Sequence, residues 1–173
     1  MLSLLPINLL RFVALMAAQV LIFSNIKFSS YINPYVYPLF LLLLPFSTPR
    51  WLLLILGFAT GLTLDVFVGS LGMHAAACLL IAYLRPTLIS FITPKGAEFE
   101  VEPNINLQGV SWFLIYCGIA TFIHHTAYFL IETGTFYNPI IALFKILIST
   151  AFSVLFMMIF LFLFTSSKKR RLA

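Results

Sequence analysis

Long apolar runs, interrupted by very few charges, constrain this chain more than any other feature of its sequence. Of its 173 residues, 62% are hydrophobic and only 9% are charged, and the mean hydropathy is +1.08. A soluble domain has about 25% charged residues. A membrane-spanning helix needs about 20 consecutive apolar residues, so the chain has room for several such helices and little room for a soluble domain. The sequence therefore predicts an all-α integral membrane protein with a single transmembrane domain over residues 1–173.

Hydropathy and turn residues divide the chain into six predicted transmembrane helices. These lie at about 7–25, 35–46, 51–68, 72–92, 111–132 and 139–165. The second is too short to cross a hydrocarbon core of about 30 Å easily. It also contains Pro38, so we expect a short, tilted or broken span. The first resembles a signal sequence, but no clear small-residue cleavage site follows its apolar core, and we predict a retained helix.

The distribution of basic residues predicts the orientation of this bundle. Six crossings place both termini on one side of the membrane, and cytoplasmic segments are rich in lysine and arginine. The basic residues that six crossings place in or near the cytoplasm are Arg11, Arg50, Arg85, Lys95 and the run Lys168–Arg171 in the C-terminal tail 166–173. Only Lys27 falls in an outer loop. We therefore expect both termini in the cytoplasm, a tail that contacts anionic lipid, and no nucleic-acid partner.

The one long connection, 93–110, is predicted to be cytoplasmic. Its sequence, TPKGAEFEVEPNINLQGV, alternates polar and apolar residues on both sides of Pro103. Such alternation permits a small β-hairpin. A solvated acidic loop is the alternative interpretation.

Small and polar residues recur at helical spacing in the stretch GFATGLTLDVFVGSLGMH. Gly57, Gly61, Asp65 and Gly69 are each four positions apart, which places them roughly along one face of a helix. Glycines let membrane helices approach closely, and an ionisable residue within a bilayer needs a partner because it costs about 2.5–3.5 kcal/mol there. We therefore predict that the glycine face packs against a neighbouring helix. We expect Asp65 to be buried and to stabilise the turn that follows.

Polar stripes also mark three later predicted helices. They are His74, Cys78, Ala82 and Arg85 on 72–92; Thr121, His125, Tyr128 and Glu132 on 111–132; and Ala142, Lys145, Ser149 and Ser153 on 139–165. Because polar groups in a bilayer face protein or water, these stripes should converge. The residues predicted to line a polar cavity or contact a partner are Asp65, His74, Arg85, His125, Glu132 and Lys145.

Two interpretations of these residues remain open at the sequence level. In one, Asp65, His74, Glu132 and Lys145 line a cavity that opens outward. In the other, the bundle is packed and the charges neutralise each other, with Glu132 paired to Lys145 across a short turn and Asp65 capping backbone groups beside His74. The second interpretation needs no ligand.

No residue pattern indicates an enzyme, a metal site or a cofactor. The sequence lacks HExxH spacing, a GxSxG elbow and a glycine-rich phosphate loop. His124 and His125 are adjacent, so on a helix they point about 100° apart and cannot chelate from one face. Cys78 and Cys117 lie inside apolar segments, as small packing residues do. We expect a protein without catalytic residues.

The stretch GFATGLTLDVFVGSLGMHAAACLLIAYLRP resembles the rod shape-determining protein MreD family, whose members are small and span the membrane several times. That family has a Gly-Leu-x-x-Asp sequence followed by a glycine turn. The positions that match are Gly61, Leu62, Asp65, Gly69 and Gly72. Residues 32–58 also resemble one branch of the family, whereas beyond residue 86 the chain agrees in hydropathy, length and basic tail alone.

The resemblance implies a scaffold subunit of the bacterial cell-elongation complex in the cytoplasmic (inner) membrane. Family members work with MreC, a RodA-type glycosyltransferase, a transpeptidase and MreB filaments to organise peptidoglycan synthesis and cell shape. A homo-oligomer is compatible with this role. The resemblance also implies a six-helix fold similar to the substrate-binding subunits of energy-coupling-factor transporters. That similarity leaves a second hypothesis, a substrate-capture component of a vitamin-type small-molecule transporter.

Overall fold

A computed structural model of the chain describes residues 5–25, 32–94, 102–133 and 139–164, and the regular elements in these ranges are helical. The α-helices are α1 (Leu5–Ala18), α2 (Leu39–Leu42), α3 (Arg50–Val68), α4 (Met73–Ile92), α5 (Ile105–Gln108), α6 (Val110–Thr133) and α7 (Pro139–Phe164), and α1 continues as a π turn, Gln19–Phe23. Five stretches are long and apolar enough to span a membrane: Pro6–Phe23, Arg50–Val68, Met73–Ile92, Val110–Glu132 and Pro139–Leu163. The prediction of an all-α, multi-pass membrane protein is confirmed. The predicted ends of these five helices agree with the structure to within about two residues.

Helices α3 and α4 pack closely because glycine occupies their contact face. A Cβ atom on Gly57 would lie 2.7 Å from the Cβ of Ala82. One on Gly61 would overlap the backbone of His74 and Ala75. The four-residue turn between the helices contains two glycines at φ +72° and +85°, a region that other residues adopt only with strain. The predicted glycine face therefore lies against α4.

The stretch 35–46, predicted as a short, tilted or broken helix, is helical only in the four residues of α2, so a full helix over these residues is wrong. We call residues 32–46 the buried segment, since every residue from Pro34 to Pro45 is buried. Its three prolines lack a backbone N–H, and each disfavours helix at the residue before it. An apolar composition alone does not distinguish such a segment from a helix.

The buried segment runs from one end of the bundle to the other. We call the end with the α3–α4 turn the turn end, and the opposite end, where α3 begins, the Arg50 end. Phe46 packs edge-on against Trp112, near the start of α6, with ring centroids 6.4 Å apart. Asn33, near the other end of the segment, contacts His125, well along α6 towards the turn end.

Helix α1 begins at the Arg50 end. Arg11 forms an ion pair with Glu102, in the connection that joins the end of α4 to α6, at 3.0 Å. The π turn at the other end of α1 lines the same cavity as Gly69, in the α3–α4 turn. The described residues therefore traverse the bundle as five long helices and, once more, as the buried segment.

The connection 93–110 contains α5, so the second arm of the predicted β-hairpin is wrong. The Asn104 side chain accepts a hydrogen bond from the N–H of Asn106 at 2.9 Å and caps this short helix. Asparagine favours such helix starts because its side-chain oxygen replaces a missing backbone acceptor. Residues 95–101, which would form the first arm, and the tail 166–173 lie outside the described residues.

Candidate functional site

Asp65 caps helix α4 from the end of the preceding helix. Its carboxylate accepts hydrogen bonds from the backbone N–H groups of His74 at 3.1 Å and of Ala75 at 2.9 Å. These N–H groups lie in the first turn of α4, where the helix offers no acceptor. The positive end of the helix dipole also favours a carboxylate there. Asp65 is 5% exposed, so a buried acid stabilises the start of α4.

The side chains of Asp65 and His74 also pair directly. The Nδ1 atom of His74 lies 2.9 Å from a carboxylate oxygen of Asp65. The hydroxyl of Ser70 donates to the same oxygen at 2.6 Å. A proton on Nδ1 satisfies the carboxylate and leaves Nε2 as a hydrogen-bond acceptor. This Nε2 is buried and has no partner among the described residues.

Replacing Asp65 with alanine is expected to lower the free energy of unfolding by about 3 kcal/mol, because buried N–H groups of α4 lose their acceptor. Asp65→Asn should be milder, since its amide oxygen still accepts one of these bonds. Thermal unfolding in detergent measures both. The control is Glu132→Ala, which removes a partly exposed carboxylate near the same end of the bundle. Equal stability of Asp65→Ala and Glu132→Ala would contradict the capping role.

Polar side chains of α6 and α7 hold the backbone of the buried segment near the turn end. Ser149 accepts a hydrogen bond from the N–H of Asn33 at 3.1 Å, and Ser153 accepts one from the N–H of Tyr35 at 2.8 Å. The Nε2 atom of His125 lies 3.1 Å from the carbonyl oxygen of Asn33. The predicted polar stripes of α6 and α7 therefore converge, and they converge on backbone groups.

Gln19, the first residue of the π turn, binds the same stretch of backbone. Its side chain accepts a hydrogen bond from the N–H of Val36 at 2.8 Å and lies within 3.3 Å of the carbonyl oxygen of Pro34. The residue is 1% exposed. Our sequence analysis does not identify Gln19, although a glutamine inside an apolar run marks a group that needs a partner.

Arg85 binds the far half of the buried segment. Its guanidinium donates to the carbonyl oxygens of Leu42 and Pro45, each at 3.4 Å, and to that of Leu44. Its Nε donates to the hydroxyl of Tyr116 at 2.9 Å. Within the described residues Arg85 has no ion pair with a carboxylate.

Arg85 is 1% exposed and lies within α4, where it donates hydrogen bonds to carbonyl groups of the buried segment. Its side chain therefore does not face the cytoplasm, and the side of the membrane that it marks stays a prediction. Backbone that is not helical can lie at membrane depth only where protein or water satisfies its polar groups. Arg85 supplies several such donors from one side chain.

Histidine and tyrosine rings pack together between these two sets of contacts. The hydroxyl of Tyr37 lies 2.7 Å from Nε2 of His124, and the thiol of Cys78 donates to it at 3.5 Å. The ring of Tyr35 lies within 6 Å of four other rings: His74, His124, His125 and Tyr128. The described part of the chain contains no group of three or more His, Cys, Asp or Glu residues placed to hold a metal ion.

Glu132 and Lys145 form an ion pair at 3.2 Å, and the Lys145 ammonium lies 4.5 Å from the ring centroid of Phe129. Their side chains are 34% and 22% exposed, and exposed pairs contribute about 1 kcal/mol or less to stability. This ion pair and the capping of α4 by Asp65 are the contacts that the packed-bundle interpretation predicts.

A cavity of about 750 Å³ nevertheless opens at the turn end. It lies between the π turn, the start of the buried segment and the α3–α4 turn. Its walls include Gln19, Phe23, Asn33, Tyr35, His74 and Tyr128. Of the residues predicted to line a cavity or contact a partner, only His74 lines this one.

A second, apolar groove of about 550 Å³ lies between α1 and α3. Phe40 and Leu44 of the buried segment line it, together with Phe12 from α1. Small residues of α3 complete it, among them Ala59 and Thr63. Nothing in our sequence analysis predicts this groove, because its walls come from three separate parts of the chain.

Comparison with known proteins identifies no relative that indicates a function. No protein-family model, curated protein or solved structure matches this chain.

Proposed function

We propose that this protein is a non-enzymatic integral-membrane scaffold that binds a partner's transmembrane helix in the groove between α1 and α3. The observation that supports this most is the groove itself, which is apolar and bordered by small residues. Membrane helices associate mainly through close packing of such surfaces.

The shape of the groove suits a helix better than a compact ligand. Along α3 it extends from Leu52 to Thr63, a rise of about 17 Å at 1.5 Å per residue. The hydroxyls of Thr60 and Thr63 donate to carbonyl oxygens one turn earlier in α3, at 2.6 and 2.7 Å. A partner helix can therefore approach this face without leaving a buried hydroxyl without an acceptor.

The interior polar groups support a scaffold for a different reason. Four interior side chains form hydrogen bonds with the backbone of the buried segment: Arg85, Gln19, His125 and Ser153. None of these contacts forms a nucleophile and base arrangement of the kind that acyl or phosphoryl transfer needs.

The resemblance to the MreD family gives the scaffold a cellular setting. In this proposal the chain lies in the bacterial cytoplasmic membrane and its groove receives the transmembrane helix of MreC. Through MreC it joins a RodA-type glycosyltransferase, a transpeptidase and MreB. The chain then crosses the membrane six times, with both termini in the cytoplasm, in an arrangement similar to the substrate-binding subunits of energy-coupling-factor transporters. The buried segment takes the place of one helix.

Filling the groove should prevent this association. We expect Ala59→Trp to reduce recovery of MreC with the affinity-purified protein about tenfold, a change of about 1.4 kcal/mol in binding free energy, while thermal stability stays unchanged. The control is Ala76→Trp, at an exposed alanine of α4 that does not line the groove. Full recovery of MreC with Ala59→Trp would contradict the groove as its binding site.

A substrate-capture component of a small-molecule transporter is a second candidate, favoured by the cavity at the turn end. Its volume of about 750 Å³ falls in the range of small-molecule sites, about 300–1,000 Å³. Purification from native membranes distinguishes the two candidates, because a scaffold brings MreC and a polymerase whereas a capture component brings an ATPase module.

A further inference from the structure

We infer that the cavity at the turn end binds an uncharged, ring-bearing small molecule that donates a hydrogen bond to Nε2 of His74. The inference goes beyond the scaffold proposal and does not depend on it, because no residue lines both the cavity and the groove between α1 and α3.

The Nε2 atom of His74 is a hydrogen-bond acceptor without a donor in the described part of the chain. Among the residues that line the cavity, His74 alone has a buried side-chain nitrogen or oxygen without a hydrogen-bond partner in the described part of the chain. The Asp65 carboxylate holds Nδ1, so the ring is fixed with Nε2 as the acceptor. A buried acceptor left without a donor costs about 1–3 kcal/mol. The rings of Tyr35 and Tyr128 pack against His74, so Nε2 becomes accessible when these rings shift, and an N–H or O–H of a ligand then removes that cost.

The described walls of the cavity are uncharged. The described residues that line the cavity include no Lys, Arg, Asp or Glu. Asp65 lies behind His74, and backbone N–H groups, Ser70 and His74 already satisfy its carboxylate. Because an unpaired charge is expensive to bury, the walls select an uncharged ligand.

Aromatic rings form part of the cavity wall. Phe23, Tyr35 and Tyr128 line the cavity, and the Tyr128 ring lies 4.5 Å from the ring of His74, centroid to centroid. Stacked or edge-on rings contribute about 0.5–1.5 kcal/mol beyond the area that they bury. A planar ring with one N–H donor therefore matches both the walls and the acceptor.

The test uses indole, an uncharged ring with one N–H, and 1-methylindole, which lacks the donor. The chain has three histidines, so ¹⁵N-histidine labelling of the detergent-solubilised protein gives three imidazoles, assigned by single His→Gln substitutions. We expect indole to shift the Nε2 resonance of His74 saturably and the resonances of His124 and His125 less. We expect 1-methylindole to produce no such shift at His74.

Variants at the rim of the cavity leave His74 in place, so their result does not depend on whether His74 variants fold. Val68→Trp fills the cavity from its rim, whereas Val66→Trp adds the same side chain at an exposed position outside it. We expect Val68→Trp to weaken indole binding at least about tenfold and Val66→Trp to leave it unchanged. Absence of a saturable shift, as expected if water alone fills the cavity, would overturn the inference. Equal shifts from the two probes, or binding that survives Val68→Trp, would overturn it as well.

Discussion

Arg85→Leu is expected to lower the free energy of unfolding by about 3 kcal/mol while leaving membrane insertion intact. In the described contacts the carbonyl oxygen of Leu44 has Arg85 as its hydrogen-bond donor, and losing the donor of a buried group costs about 1–3 kcal/mol. The carbonyls of Leu42 and Pro45 keep Tyr116 and Thr48 but lose a charged donor. Leucine removes an insertion cost of about 3 kcal/mol, so the amount inserted should not fall.

Two measurements separate folding from insertion in this experiment. Carbonate-resistant membrane fraction reports the inserted protein, and thermal unfolding in detergent reports the folded one. Arg50→Leu is the control, since Arg50 is exposed at the start of α3 and its loss should leave stability nearly unchanged. Wild-type stability of Arg85→Leu would mean that the buried segment does not need this side chain.

Gly61→Leu should abolish most folded protein, and Gly61→Ala should already lower stability by more than about 1 kcal/mol. The added Cβ overlaps the backbone of His74 and Ala75. That backbone cannot shift easily, because the carboxylate of Asp65 binds both N–H groups. Overpacking against a fixed neighbour typically costs about 1–3 kcal/mol, and a larger side chain forces α3 and α4 apart.

Gly118→Ala provides the matched control for Gly61→Ala. Both glycines lie inside helices, so both substitutions gain about 1 kcal/mol of helix propensity. A Cβ on Gly118 meets no atom within 4 Å, so we expect this variant to be as stable as the wild type or more so. Leu62→Ala, at a residue 41% exposed, should also be well tolerated. Similar stability of Gly61→Ala and Gly118→Ala would argue against a close contact between α3 and α4.

Hydropathy is sufficient to predict the five long helices because each has a long apolar run that ends at a turn or a charge. Hydropathy misassigns the buried segment as a helix, since the residues of that segment are as apolar as those of a helix. The difference lies in local chemistry: Pro34, Pro38 and Pro45 remove N–H donors, and several backbone groups outside α2 bind side chains. Three prolines within twelve apolar residues are the feature that indicates an irregular crossing.

The candidate site is predictable from the sequence only where its contacts are local. The Gly57–Gly61–Asp65 spacing lies on one helix, and the residues that it meets lie on the next helix, α4, so periodicity predicts the glycine contact and the cap. Gln19 and Tyr116 have partners 15 to 74 positions away in the chain. Pairing over such distances depends on how the helices pack, which periodicity does not specify.

We propose that the buried segment crosses the membrane between α1 and α3, although it is mostly not helical. Ser24 and Ser47 are exposed residues close to its two ends, whereas both native cysteines are buried. Single Ser24→Cys and Ser47→Cys variants can therefore be labelled in intact cells with a membrane-impermeant maleimide. We expect only one of the two cysteines to react until the membrane is opened. Reaction of both cysteines from the same side would show that the segment does not cross.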